Sequence, residues 1–87
     1  MSGAQLATPT PDTKKVIGDN LRALRLARNL TQGALAAQLP RTVTRARISD
    51  WEHGLYRPSD RYVELLAKAL GVDVSRFYQL PDKGGAQ

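Results

Sequence analysis

The chain has 87 residues and a mass of 9.5 kDa, enough for one small domain and too little to enclose a large substrate cavity. It has no Cys and a single His, His53, which excludes disulfide staples, thiolate or histidine metal sites and a thiol nucleophile. The formal net charge is +5 with a pI near 10.1, and residues 14–57 carry nine basic and three acidic side chains, a local +6. Such asymmetry is the electrostatic footprint of a polyanion binder.

Residues 1–12 (MSGAQLATPTPD) are small, polar and twice interrupted by Pro, and read as a disordered arm. From Thr13 the pattern turns helical. Ile17, Leu21 and Leu24 recur on one face, widened by Val16, Ala23 and Ala27, with Asp12 or Thr13 as cap and Asn29 as a left-handed stop. Leu26 lies off that stripe. Thr31 caps a second helix to Leu39, with Leu35, Ala36 and Leu39 inward, and Pro40 stops it. A third helix begins after Thr44 or after Thr42 and runs to His53, followed by Gly54.

Pro58–Ser59 opens a fourth helix whose apolar face is Tyr62, Val63, Leu65, Leu66, Ala69 and Leu70, ended by Gly71 with Val72 beyond it. Val74, Phe77, Tyr78 and Leu80 suggest a short fifth. Residues 81–87 read as a frayed tail. No stretch alternates with period two, so the expected fold is all-α, with about five helices over residues 13–80.

Stepping about 100° per residue along the third helix sorts its side chains. Ile48 and Trp51 define a buried side, Arg47 sits on the flank, and Arg45, Ala46, Ser49, Asp50 and His53 face outward. A short polar face of this kind can enter a major groove about 12 Å wide, where Arg grips guanine O6 and N7. The entry segment RTVTRAR (41–47) holds three arginines and no acid. Arg41 and Thr44 there become candidate phosphate contacts at a helix N-terminus. The grouping of Ser49, Asp50 and His53 on one exposed helix supplies no pocket or oxyanion donors, so no enzyme is expected.

Residues 17–71 resemble the lambda-repressor/Cro (XRE-type) helix-turn-helix family. The motifs are IGDNLRALR (17–25), LTQGALA (30–36), ISDWEHG (48–54), RPS (57–59) and LAKALGV (66–72). The resemblance implies that the second helix lies across the DNA backbone with Gln32 on a phosphate. It implies base reading by Arg45, Ala46, Ser49 and Asp50, and backbone contacts from Arg47, His53, Tyr56 and Arg57. Asp50 would either accept from cytosine N4 or orient Arg47. Arg25 and Glu52 match a buried ion pair, and Leu35, Ala36, Ile48 and Trp51 match the core. The family dimerises through its last helix and adjoining loops, which falls here on Phe77, Tyr78 and Leu80.

Two departures stand out. Eight residues separate Leu39 from Ile48 where the family has about six, the turn glycine is missing, and Pro40–Arg41 looks inserted. Residues 31–39 carry no charge, so an acidic activating surface on the second helix is absent. The expected function is a sequence-specific regulator of double-stranded DNA, a homodimeric repressor excluding polymerase by occupancy. An antitoxin or similar protein-binding partner is the alternative; the seven residues after Leu80 offer little for a toxin. No cofactor, membrane or small-molecule effector is expected, a protein antagonist is compatible, and the setting is cytoplasmic, nucleoid-associated on DNA.

Overall fold

The computed structural model describes residues 12–80, and every regular element among them is helical. Helix α1 (Thr13–Ala27) starts because the Asp12 carboxylate accepts the Lys14 N–H at 3.0 Å, which makes Asp12 the cap rather than Thr13. Ile17, Leu21 and Leu24 are buried as their spacing demands. Ala23 and Ala27 are exposed, so the stripe is narrower than predicted. Leu26 is 47% exposed. Asn29 ends the segment at φ 58°, a left-handed conformation that a short polar side chain tolerates.

The Thr31 hydroxyl accepts the Ala34 N–H at 2.9 Å and opens α2 (Gln32–Ala36). The predicted continuation to Leu39 becomes a tighter turn. Gln38 and Leu39 donate three residues back, to Leu35 and Ala36, instead of four. Pro40 explains this, because its ring pushes the preceding residue out of the α region. Residues 40–43, where the sequence looks longer than the family's, then close a small turn of their own, with the Val43 N–H on the Pro40 carbonyl at 2.8 Å. The Val43 side chain enters the core at 3% exposure, a role its position in a polar, basic segment conceals.

Thr44 caps α3 (Arg45–Glu52) by accepting the Arg47 N–H at 3.1 Å, so the helix starts there and not after Thr42. His53 lies just past its end. Ser59 caps α4 (Asp60–Leu70). Gly71, at φ 70°, stops it with the two bonds of a Schellman turn: Gly71 N–H to Lys68 and Val72 N–H to Ala67. Arg28 adds a bond from Nη1 to the Leu70 carbonyl at 2.8 Å, satisfying an oxygen the helix leaves orphaned.

The expected fifth helix is a single 3-10 turn, Val74–Phe77. Four residues cannot close an α-helical ladder, and the Phe77 carbonyl is taken instead by the Asn20 amide of α1 at 2.9 Å. Asn20 also donates to the Gln79 carbonyl at 2.8 Å, strapping the chain end to α1. The core is one cluster in which Leu21, Leu35, Val43, Ile48, Leu66 and Phe77 are essentially inaccessible. No helix among the described residues is long and apolar enough to cross a membrane.

Candidate nucleic-acid interface

The phase of α3 decides what faces outward. Ile48 is fully buried, and Trp51 and Glu52 are nearly so. Gly18 lets α1 pass against this end of α3, since a Cβ there would meet the Trp51 carbonyl. Arg45 and Ala46 are left exposed, with Ser49 and Asp50 half-buried on the same side. The start of α2 borders that face, and a shallow depression is lined by Gln32, Arg45, Ala46 and Ser49. A Cβ on Gly33 would come no nearer than 4.0 Å to the Arg45 stem, so a small side chain there would leave that stem undisturbed.

A buried ion pair holds the helices in this arrangement. Arg25 grips Glu52 with Nε on Oε2 at 2.7 Å and Nη2 on Oε1 at 2.9 Å, while Nη1 donates to the Leu30 carbonyl at 2.7 Å. The hydrogen bond to Glu52 raises the Arg25 pKa above the ordinary guanidinium value, against desolvation. Gln32 joins the pair by donating Nε2 to Glu52 Oε1 at 3.1 Å. One carboxylate therefore ties the end of α1, the start of α2 and the end of α3. Gln32, expected on a phosphate, spends one of its two side-chain amide hydrogens on this internal bond and keeps the other.

Around the outward face the remaining candidates separate into two groups. Arg41 and Thr44 are exposed at the entry to α3. His53 lies at the other end, its Nδ1 at 2.7 Å from the Ser49 carbonyl oxygen. A carbonyl only accepts, so Nδ1 carries the hydrogen and Nε2 is the free edge. With Nδ1 engaged it cannot take the Ser49 proton, although the two lie 3.4 Å apart, and a hydrolytic Ser–His pair is not assembled.

Arg47 does not orient Asp50 as the helical spacing suggested. Its guanidinium lies over the Tyr62 ring of α4, 5.7 Å from the centroid, with Nη1 3.4 Å from the phenol oxygen. The ring and the hydroxyl of Tyr62 together hold the guanidinium on the α4 side of α3. Asp50 has no ion-pair partner among the described residues. Arg57 is held by Asp60 at 3.2 Å and sits over the Tyr78 ring at 5.9 Å. Tyr56 beside it is 63% exposed. Arg47, Asp50, Tyr56, Arg57 and Tyr62 line a groove between α3 and the loop that follows it.

Of the three residues expected at a dimer contact, Phe77 is fully buried within the single chain and cannot face a second copy. Tyr78 and Leu80 are exposed. Tyr62 and Thr42 are site neighbours that the sequence conceals. Tyr62 reads as part of the apolar face of α4, but its hydroxyl reaches out to donate to Thr42 Oγ1 at 3.1 Å. The Thr42 hydroxyl, able to turn its proton toward a phenolate, holds the Tyr62 phenol below the ordinary tyrosine value, helped by the Arg47 charge and opposed by burial.

Residues 21–77 match the protein family described as helix-turn-helix. The crystal structure of a hypothetical transcription factor, NHTF from Neisseria, is similar to the chain with a TM-score of 0.71 and 26% identity, over 91% of each chain. No curated protein matches it.

Proposed function

The chain belongs to the XRE-type helix-turn-helix family of DNA-binding regulators, and from that premise we propose that it binds a specific double-stranded DNA site and represses transcription by occupying it. The observation that supports this reading is the outward face of α3, where Arg45 and Ala46 are exposed and Ser49 and Asp50 half-buried, the residues to which the family resemblance assigns base reading. Arg45 offers a bidentate fork for guanine. Arg41, Thr44, Arg47, His53, Tyr56 and Arg57 flank that face and serve the phosphates, which position the domain without specifying sequence. The +6 balance of residues 14–57 supports the same orientation.

The protein acts as a homodimer on a palindromic site, with Tyr78 and Leu80 at the contact and the two copies of α3 one helical turn, about 34 Å, apart. Repression by exclusion fits a recognition unit whose α2 carries no charged surface for polymerase. The test is fluorescence anisotropy at physiological salt with a duplex from immediately upstream of the protein's own gene, against a scrambled duplex of equal length. The upstream duplex is expected to bind about 10³-fold more tightly or better. Equal, weak and steeply salt-dependent binding of both would contradict an autoregulating repressor.

A further inference from the structure

We propose that Tyr62, on α4, is a positioning residue for DNA binding. It joins the inserted turn to Arg47 so that both meet the phosphates as one unit. The inference rests on the DNA-binding reading above. Three observations carry it. The Tyr62 hydroxyl donates to Thr42 Oγ1 at 3.1 Å and receives Arg47 Nη1 at 3.4 Å, bridging residues 20 and 15 positions away in the chain. The Tyr62 ring underlies the Arg47 guanidinium and packs on Trp51, centroids 5.5 Å apart. Trp51 is only 5% exposed, so the platform is anchored in the core.

The inserted turn is otherwise held from one side, by Val43 in the core. Thr42 and Arg41 project from it on exposed backbone, and the Tyr62 hydroxyl is the side-chain tie that fixes their side of the turn. Ordering a free arginine costs rotamer entropy. A guanidinium already stacked and hydrogen-bonded meets part of that cost before the ligand arrives. Tyr62 thus compensates for a longer turn that would leave the entry to α3 loosely held.

The experiment compares wild type, Tyr62→Phe, Arg47→Ala and the double variant, each by thermal melting and by DNA affinity across a salt series, using the duplex that wild type binds best. Phe keeps the ring on Trp51 and under Arg47 and removes only the hydroxyl. Tyr62→Phe is expected to melt like wild type, to bind DNA about 3- to 10-fold more weakly, and to show a shallower salt dependence. In the Arg47→Ala background, where one of the two bridged groups is gone, the same change should cost less. Wild-type affinity and salt slope in Tyr62→Phe would overturn the positioning role, as would an equal loss in both backgrounds. Failure of wild type to bind any duplex would instead overturn the DNA-binding reading, and this inference with it.

Discussion

Arg25 and Glu52 are each more than nine-tenths buried, and a charge so placed is tolerable only while its partner remains. Arg25→Ala leaves the carboxylate with only the Gln32 amide, and a cost of about 3–5 kcal/mol is expected in urea unfolding. Replacing both partners by Met should recover most of it, since no charge is then stranded; a double variant as unstable as the single one would show that lost packing, not the orphaned charge, is responsible. Against a typical stability of about 5–15 kcal/mol, this pair is structural before it is anything else. The pairing was legible in the sequence only through family likeness, because residues 27 positions apart leave no local signal. The turn of Arg47 away from Asp50 was not legible at all. Helical spacing brings those two together, whereas the Tyr62 contact that holds the guanidinium comes from tertiary placement and leaves no local signal.

At the scale of elements, what can be read locally is read well. Thr31 and Ser59 cap helices where sequence puts them, because a cap bonds to an amide two or three residues away. Gly71 stops α4 as expected, and the choice left between Asp12 and Thr13 falls to Asp12. The start of α3 is different. Thr42 and Thr44 are equally good caps by chemistry, and the choice falls to Val43, whose burial among the core residues requires it to stay in the turn. Close approach of two helices is equally invisible in a single chain of letters. Gly18 shows it: Ala is intrinsically the better helix former by up to about 1 kcal/mol, yet its Cβ would meet the Trp51 carbonyl. Gly18→Ala is therefore expected to lower the urea midpoint and to disturb the Trp51 fluorescence, because backbone must move. A rise in the midpoint would mean that α1 and α3 are less tightly opposed than described.

Across the whole molecule, charge and fold point the same way. The basic residues gather in the first two thirds of the chain, and folding sets Arg41, Arg45, Arg47 and Arg57 on exposed positions around α3. The all-helical class followed from periodicity, whereas the last element could not be resolved from it. Phe77, Tyr78 and Leu80 look alike as letters; the Asn20 strap sends the first inward and leaves the others outside. Sequence reading by α3 is the central claim, and selection from a pool of randomised duplexes, run in parallel with wild type, Arg45→Ala and Arg57→Ala, tests it most directly. Wild type should enrich a motif with two-fold symmetry. Arg45→Ala should relax one position in each half-site at a cost of about 1–3 kcal/mol, while Arg57→Ala keeps the motif and weakens every sequence alike. A wild-type pool that stays random, or an Arg45→Ala motif identical to that of wild type, would contradict it.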